Sequence, residues 1–351
     1  MDVALDAPLA PLTTLGLGGP ARRLVTAYDE RELLEAVRAA EGPLLVLGGG
    51  SNVVLPDEGW DGTVVRVATT GIHFTPSSSG ATVTAAAGES WDGLVARSLD
   101  EGLVGLEALS GIPGLVGASP IQNVGAYGQE VAQTCTSVRF YDHEADAVQT
   151  VPAGACDFSY RSSLFKAEPG RRLILAVTYE LARGAQGAPV AYDELARELG
   201  VSGQQRPIAT EVRAAVLTLR RRKGMVIDPA DPDSRSAGSF FTNPVLDDDQ
   251  LAAFRTRLSP GVVAPIHPDG RGGSKVSAAW LVEQAGFTRG WPAGPVGISA
   301  KHSLALVHRG GGRAADLLAL AATIQAGVRE AFGISLEPEP VVVSPSTPAA
   351  P

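Results

Sequence analysis

The chain has 351 residues, 44% of them hydrophobic, with a net charge of −9 and a pI of about 5.1. This length predicts two or three domains that fold without disulfide or metal support. The acidic balance argues against a nucleic-acid coat or a general membrane-surface role. Cys135 and Cys156 lie in no CxxC spacing, so we expect two reduced core cysteines. Residues 1–11 carry no signal-peptide pattern, which predicts a cytoplasmic protein.

Residues 1–68 are predicted to form a small α/β lobe. Asp29 stands before a stretch over residues 30–40 whose Leu33, Leu34 and Val37 have helical spacing. Residues 44–47 and 63–67 are short apolar runs typical of buried strands. The motif Gly16-Leu17-Gly18-Gly19-Pro20-Ala21 fits GxGxxA, but we see no strand before it and predict a structured loop rather than a dinucleotide site.

Residues 69–222 are predicted to form a second lobe of α+β type. Ser90 is a candidate cap for a helix whose Trp91, Leu94, Val95 and Leu99 share one face. Strands are expected over residues 81–86, 138–141, 147–151 and 173–181, and antiparallel pairing is plausible for them. A helix over residues 210–223 ends in four cations, Arg220 to Lys223. The favoured interpretation is a solvated helix C-terminus, and the alternative is that one of them turns into a pocket and binds a diphosphate.

Residues 223–335 are predicted to form a third domain. Helices are expected over residues 277–285 and 316–332, the first of them stopped by Gly286. Residues 336–343 are expected to form a strand that carries Glu339 back into the protein, where burial would raise the pKa of its carboxyl group. The Ser/Thr/Pro/Ala-rich tail, residues 344–351, is predicted to be disordered.

Two glycine-rich loops are candidate cofactor sites. The motif Gly48-Gly49-Gly50-Ser51-Asn52 follows a predicted strand, where glycines let backbone N–H groups approach a phosphate. A plain tight turn explains this first loop about as well. The second loop, residues 110–128, has five glycines and several hydrogen-bonding residues in nineteen positions, which favours a nucleotide or cofactor contact.

The polar side chains point to no hydrolase and no metal site. Ser239 lies in Ala237-Gly238-Ser239-Phe240-Phe241, which is not a GxSxG elbow, and no His/Asp pair completes a triad. The five histidines have no metal-binding spacing, so no metal is expected. Ser239 is therefore a candidate hydrogen-bond or proton donor. Arg161, flanked by aromatic residues, is a candidate ligand for a carboxylate or phosphate.

Five motifs, in this order, resemble the UDP-N-acetylenolpyruvoylglucosamine reductase family. They are Leu47-Gly48-Gly49-Gly50-Ser51-Asn52, Gly111-Ile112-Pro113-Gly114, Gln122-Asn123-Val124-Gly125-Ala126-Tyr127-Gly128, Tyr160-Arg161-Ser162-Ser163-Leu164-Phe165-Lys166 and Ala237-Gly238-Ser239-Phe240-Phe241. The resemblance runs from Thr13 to Glu339. It implies an α+β protein with a two-lobed FAD-binding module of the vanillyl-alcohol-oxidase type and a C-terminal α+β substrate-binding domain.

The resemblance also implies a reaction and its participants. FAD is the cofactor, NADPH the reductant, and UDP-N-acetylglucosamine enolpyruvate the substrate, which is reduced to UDP-N-acetylmuramate for peptidoglycan synthesis. The reaction has two halves: NADPH reduces the flavin, and hydride then passes to the enolpyruvyl double bond. No nucleic acid, membrane or obligatory protein partner is implied, and we expect a monomer.

Site residues carry over from the family's motifs. Arg161 and Glu339 match the groups that stabilise the developing negative charge, and Ser239 matches the proton donor. The expected FAD-binding residues are Gly48, Gly49, Gly50, Ser51, Asn52, Ser110, Gly111, Pro113, Gly114, Gly117, Ala118, Asn123 and Gly125. The expected substrate-binding residues are Tyr127, Tyr192, Lys223, Asn243 and Gln284. The segment that carries Tyr192 indicates the longer subtype, in which a tyrosine loop closes over the substrate.

Some positions depart from the family's pattern, and two other functions stay open. Ser236, Thr242 and Ser303 stand where Asn, Lys and Ala are more usual. Pro340 follows Glu339 where Val is typical, which puts the direction of the Glu339 side chain in doubt. An FAD-dependent oxidase of the same fold is one alternative, and a non-catalytic UDP-sugar-binding protein is the other.

Overall fold

The structure is a computed structural model that describes residues 1–202 and 204–344. The tail predicted to be disordered lies outside these residues, apart from Ser344. Cys135 and Cys156 are both buried and free, as the sequence predicts. Within the described residues, no helix has the length and apolarity needed to cross a membrane.

The first sheet has four strands in the order β1-β2-β5-β3. Strands β2, β5 and β3 pair in parallel, and β1 pairs antiparallel with β2 at the edge. The first helix begins where the sequence predicts, because the Asp29 carboxylate accepts a hydrogen bond from the N–H of Glu32. The elements are β1 (Asp2–Pro8), β2 (Pro20–Ala27), α1 (Glu30–Arg38), β3 (Leu44–Leu47), β4 (Val53–Val54) and β5 (Trp60–Val67).

The second sheet is antiparallel, with the order β12-β11-β13-β7-β6 and with β8 paired to one end of β13. Ser90 caps α2 by accepting from the N–H of Gly93, as predicted. The elements are β6 (Ile72–Pro76), β7 (Gly80–Ala86), α2 (Trp91–Asp100), β8 (Leu103–Val104), β9 (Gly125–Ala126), β10 (Gln129–Glu130), β11 (Cys135–Asp142), β12 (Ala147–Pro152), α3 (Leu164–Ala167), β13 (Arg172–Arg183), α4 (Asp193–Leu199) and α5 (Ala209–Arg222).

The third part of the chain has two small antiparallel sheets, β14-β19-β18 and β15-β17-β16, packed with three helices. Its core includes Phe240, Phe254 and Leu317, together with Leu15 and Leu17 from the N-terminal loop. The elements are β14 (Ser236–Ser239), β15 (Val245–Leu246), α6 (Asp248–Thr256), β16 (Ile266–Pro268), β17 (Ser274–Val276), α7 (Ala278–Gln284), β18 (Val296–Ile298), β19 (Ala305–His308), α8 (Ala314–Phe332) and β20 (Val341–Val342).

The two N-terminal sheets share one hydrophobic core. Val25 and Val65 of the first sheet belong to the same buried cluster as Val83 and Val177 of the second. The apolar surface of either sheet is thus removed from water by the other, which fixes the two lobes face to face. The predicted α+β architecture is confirmed, whereas the domain boundaries at residues 68, 222 and 335 stay predictions.

The C-terminal segment returns to the first lobe, but the strand predicted over residues 336–343 is wrong in its extent: it covers only Val341–Val342, and Glu339 precedes it. Strand β20 pairs in parallel with β4, directly after the first glycine-rich loop, and the N–H of Val341 donates to the carbonyl of Asn52 at 2.9 Å. Pro340 leaves this pairing intact because the strand hydrogen bonds come from Val341 and Val343. The glycine-rich loop and the segment that carries Glu339 are therefore held side by side.

One statement about the N-terminal loop is wrong. A strand, β1, does precede the Gly16-Leu17-Gly18 segment, and we did not predict it. The segment leads into strand β2 at Pro20 rather than into a helix, so it lies between two antiparallel strands. A dinucleotide fingerprint needs a strand-to-helix turn. The segment is therefore still not a dinucleotide site, because a strand follows it and not because a strand is missing before it.

Candidate active site

The first glycine-rich loop presents unpaired backbone donors. Among the described residues, the N–H groups of Gly49, Gly50 and Ser51 donate no hydrogen bond, although Gly50 is buried. Gly48 precedes them and borders an apolar pocket. A row of free N–H groups in a turn is a concave anion site, so this loop fits a phosphate better than it fits a self-contained tight turn.

The second glycine-rich loop packs directly against the first. A Cβ on Gly49 would lie 2.9 Å from the Cα of Gly114, and one on Gly114 would lie 2.6 Å from the Oγ of Ser51. Such distances are too short for any side chain, so these glycines bring the two loops into contact. Part of the glycine content therefore serves packing between the loops rather than contact with a ligand.

An apolar pocket of about 50 Å³ lies where the two loops meet the facing sheets. Gly117 approaches β7 closely, because a Cβ there would lie 2.6 Å from the Cβ of Ala87. Residues from both lobes line the pocket, including Val46, Gly48, Leu115, Gly117, Ala118 and Ile121. Free N–H donors beside an apolar seam suit a cofactor that carries a phosphate chain, such as FAD, and a space of this volume would border only part of its ring system.

The side chains of two predicted cofactor ligands, Ser110 and Asn123, form hydrogen bonds with other groups of the protein. The Ser110 hydroxyl donates to the carbonyl of Glu107 at 2.7 Å. The Asn123 amide donates to Glu130 Oε2 and accepts from the N–H of Ala132 at 3.0 Å. Both residues are buried and hold the loop's shape. Pro113 is half-buried in the same loop. The roles of these residues in cofactor binding stay predictions.

Arg161 and Glu339 form an ion pair at the centre of the site. The Arg161 Nε lies 3.0 Å from Oε1 of Glu339, and only 23% and 13% of the two side chains are exposed. A second guanidinium nitrogen, Nη2, donates to the carbonyl of Gly125 at 3.1 Å. Gly125 thus anchors the arginine to the second loop, and its predicted contact with FAD stays a prediction.

A tight turn positions Arg161. Ser159 and Ser162 exchange two backbone hydrogen bonds, which leaves Tyr160 and Arg161 at the centre of the turn. Arg161 has a φ of +52°, a conformation that non-glycine residues rarely adopt and that concentrates at functional sites. The Lys166 ammonium donates to the Arg161 carbonyl at 2.9 Å and helps to hold it.

Glu339 sits in a polar network that also includes the first glycine loop. The Gln122 amide donates to Glu339 Oε1 at 3.4 Å and accepts from the Asn52 amide at 3.3 Å. Burial raises the pKa of the Glu339 carboxyl above its usual value, while Arg161 and Lys166 oppose the shift. A carboxyl group with a raised pKa holds its proton more readily and can donate a hydrogen bond.

Ser239 lies at the end of β14, on the segment that pairs with the C-terminal chain. The N–H of Glu339 donates to the carbonyl of Phe240 at 2.9 Å, so Glu339 and Ser239 occupy neighbouring segments. Gly238 has a φ of +74°, which suits a glycine at the bend before Ser239. The half-buried Ser239 hydroxyl makes no hydrogen bond within the described residues, which leaves it available to a ligand.

Tyr127, Tyr192 and Lys223 come together on one side of the site. The two tyrosine rings meet edge to face, with centroids 5.4 Å apart. The Lys223 ammonium lies 5.8 Å above the Tyr127 ring and forms an ion pair with Glu194. Burial raises the pKa of Tyr127 to about 12, so its hydroxyl stays protonated at neutral pH.

Asn243 and Gln284 are at opposite ends of α7. The Asn243 amide accepts from the N–H of Ala278, the first residue of that helix, and donates to the Tyr160 hydroxyl at 3.3 Å. Asn243 is thereby joined to the Arg161 turn. Gln284 is exposed at the C-terminal end, about 9 Å along the helix axis. The structure does not bring Gln284 into contact with the other candidate residues.

Three residues that our sequence analysis did not select contribute to the site. Gln122 joins Asn52 to Glu339, and Lys166 holds the Arg161 carbonyl. Both stand inside the motifs that carry the family resemblance, which was the available signal. Tyr160 forms a cation–π contact, in which the Lys275 ammonium lies 4.4 Å from the centroid of the tyrosine ring. Among the described residues, no cluster of His, Cys, Asp or Glu could hold a metal ion.

The favoured interpretation of the cations at the end of α5 is wrong for Arg220. Arg220 is buried, and it donates from Nε to the carbonyl of Gly111 at 3.1 Å and from Nη2 to that of Met225 at 2.9 Å. The N–H of Gly111 donates to Asp92 of α2, and Asp92 also pairs with Arg213, which lies on α5 as Arg220 does. The second glycine loop is therefore clamped to α5 at both polar groups of Gly111.

We expect Arg220→Met to weaken FAD retention about tenfold. The change leaves two partly buried carbonyls, those of Gly111 and Met225, without a donor, which costs about 1–3 kcal/mol, and it loosens Gly111. Flavin release can be followed by fluorescence on dilution of the holoenzyme. Arg221→Met, at the exposed neighbour, should change nothing. Unaltered FAD affinity in Arg220→Met would show that the clamp does not support the cofactor loop.

Comparisons with known proteins agree with this geometry. Residues 229–343 match the model of the C-terminal domain of UDP-N-acetylenolpyruvoylglucosamine reductase, and residues 21–150 match an FAD-binding domain. The reductase of Thermobifida fusca is 54% identical over 349 residues, covering 97% of this chain and 98% of the relative. The reductase of Streptomyces avermitilis is 53% identical over 347 residues, covering 96% and 94%.

A solved structure agrees over the whole length. The crystal structure of UDP-N-acetylenolpyruvylglucosamine reductase from Thermus caldophilus superposes with a TM-score of 0.65 at 27% identity, and the match covers 98% of both chains. The similarity therefore includes both the cofactor loops and the C-terminal segment that carries Glu339, just before β20. The chain belongs to the UDP-N-acetylenolpyruvoylglucosamine reductase family.

Proposed function

We propose that this chain reduces UDP-N-acetylglucosamine enolpyruvate to UDP-N-acetylmuramate with NADPH and FAD, and that Arg161, Glu339 and Ser239 carry the chemistry. The observation that supports these roles best is the ion pair between Arg161 and Glu339 beside the segment that holds Ser239. The reaction is that of an oxidoreductase acting on a CH–CH bond in peptidoglycan precursor synthesis. When bound, FAD relays hydride from NADPH to the far carbon of the enolpyruvyl double bond.

Arg161 and Glu339 stabilise charge on the substrate. The double bond is conjugated to a carboxylate, so hydride addition at the far carbon builds an enolate-like dianion. The Arg161 guanidinium binds the carboxylate oxygens, and a protonated Glu339 donates a hydrogen bond to them. In the free protein Glu339 is paired with Arg161. Burial raises the pKa of its carboxyl, so we propose that it takes up a proton when the substrate carboxylate replaces it at Arg161. The turn and the Gly125 contact hold Arg161 in place before the reaction, which removes an ordering cost.

Ser239 supplies the proton. Its hydroxyl hydrogen passes to the carbon next to the carboxylate, and the oxygen regains a proton from solvent. The hydroxyl has no hydrogen-bond partner within the described part of the chain, so nothing in that part competes for it. General acid transfer of this kind contributes about 10²–10⁴-fold to a rate.

The tyrosine and lysine cluster is the proposed substrate-binding surface. Lys223 binds the diphosphate, while Tyr127 and Tyr192 provide aromatic surface for the nucleotide. Asn243, joined to Tyr160, contacts the substrate near Arg161. Gln284, exposed at the end of α7, remains a proposed substrate ligand.

The N–H groups of residues 48–52 and the seam between the lobes are the proposed FAD-binding surface. The free donors of Gly49, Gly50 and Ser51 bind the diphosphate of the cofactor. Gly117 and Ala118 line the apolar seam for its ring system. We also propose a cytoplasmic, monomeric enzyme without nucleic-acid, membrane or protein partners, which size-exclusion chromatography with light scattering tests for the oligomeric state.

Product analysis in air distinguishes this function from its two alternatives. With NADPH and UDP-N-acetylglucosamine enolpyruvate, we expect a product two mass units heavier than the substrate, at one equivalent of NADPH consumed. An oxidase of the same fold would instead consume oxygen and form hydrogen peroxide without changing the UDP substrate. A UDP-sugar-binding protein would leave both NADPH and substrate intact.

A further inference from the structure

The ammonium of Lys223 is already occupied by a carboxylate of this chain. Glu194 Oε2 lies 2.5 Å from the Lys223 Nζ. Lys223 caps the C-terminus of α5, and Glu194 lies in the first turn of α4. The side chains are 26% and 31% exposed, so water and ligands reach both groups.

Glu194 belongs to the segment that carries Tyr192. Tyr192 is the residue directly before α4, and its ring packs on Tyr127, over which the Lys223 ammonium also lies. Behind these contacts, Leu195 of α4 packs with Val212 of α5 in a separate small core. The Glu194 carboxylate, Tyr192 and Lys223 are thus parts of one contact surface between α4 and α5.

We propose that Glu194 holds the Lys223 ammonium until the diphosphate of a nucleotide substrate displaces it, and that this exchange lowers and tunes diphosphate affinity. The inference rests on the proposed function for the role of Lys223. A diphosphate bound at Lys223 would lie next to the Glu194 carboxylate, and like charges at such distances repel. Binding therefore requires Glu194 to leave, and its movement is coupled through α4 to Tyr192.

Replacing Glu194 by a diphosphate at Lys223 costs little free energy because the ion pair is partly exposed. A partly exposed pair contributes little stability, which corresponds to a factor of about two to five in an equilibrium constant. The pair therefore biases binding without blocking it. It also separates ligands by charge, because uridine carries no phosphate and does not need the lysine.

Isothermal titration of the holoenzyme with UDP and with uridine tests this role. We expect Glu194→Gln to lower the dissociation constant for UDP about two- to fivefold at low ionic strength, with uridine binding unchanged. The gain should shrink with added salt, since salt screens exposed charges. It should also vanish in a Lys223→Gln background, where no ammonium remains to be freed.

Glu198→Gln is the matched control. Glu198 pairs with Arg222 between the same two helices, away from Tyr127, so its loss should leave UDP affinity unchanged. Equal or weaker UDP binding in Glu194→Gln would overturn the inference, as would the same gain in Glu198→Gln. If the enzyme reduces its substrate but does not bind UDP, the inference about Glu194 is overturned while the proposed function stands. Absent reductase activity together with the expected gain would overturn only the proposed function.

Discussion

Ser239→Ala should slow the second half-reaction, the return of the flavin band on addition of UDP-N-acetylglucosamine enolpyruvate, by ~10²-fold or more. Removing the hydroxyl removes the proposed proton donor, and Glu339 is already paired with Arg161. Bleaching of the flavin band by NADPH should stay near normal, because no proton is transferred to substrate carbon in that step. Anaerobic stopped-flow absorbance measures the two halves separately.

Ser236→Ala is the matched control for that experiment. Ser236 begins the same strand, but its hydroxyl accepts a hydrogen bond from the N–H of Gly238 and remains within the protein. We expect it to leave both half-reactions within a few-fold of the original enzyme. Equal slowing of both halves in Ser239→Ala, or equal slowing by the two variants, would assign Ser239 a structural role.

Glu339→Ala should also lower the rate of the second half-reaction, by about 10²–10³-fold, the typical loss when one charge-stabilising donor is removed. The change takes away the proposed hydrogen bond to the developing dianion and leaves Arg161 without its acidic partner. Glu339→Gln should lose less activity because an amide still donates a hydrogen bond. Single-turnover rates for the two variants measure this difference.

Glu337→Ala controls for disturbance of the C-terminal segment. Glu337 is two residues away and exposed, whereas Glu339 is held by Arg161 and Gln122. Its replacement should leave both half-reactions unchanged. A Glu339→Gln variant as slow as Glu339→Ala would mean that the amide does not substitute for the acid, and that hydrogen-bond donation is not the contribution of this residue.

Local signals were sufficient to predict much of the fold. Asp29 and Ser90 each precede a helix and accept a hydrogen bond from an N–H of its first turn. The central strand β13 of the second lobe has the apolar run Leu173 to Val177. Strands β1 and β2 were missed because Arg22 and Arg23 interrupt the apolar pattern of β2, and much of β1 is exposed. Their pairing partners come from tertiary structure, which local patterns do not encode.

The site was less predictable from local chemistry. No spacing rule joins Arg161 to Glu339, because these residues meet only when strand β20 pairs beside the first glycine loop; the family resemblance was the sole indication. The burial of Arg220 was missed because a cation at a helix C-terminus is usually solvated. The fixed direction of Glu339, despite Pro340, depends on hydrogen bonds from Val341 and Val343.

The most direct test of the account is an anaerobic titration of the holoenzyme, first with NADPH and then with UDP-N-acetylglucosamine enolpyruvate, with the flavin spectrum recorded throughout. We predict that NADPH bleaches the flavin band and that one equivalent of the enolpyruvyl substrate restores it while UDP-N-acetylmuramate forms. A band that NADPH does not bleach, or that returns only when air is admitted, would contradict the account.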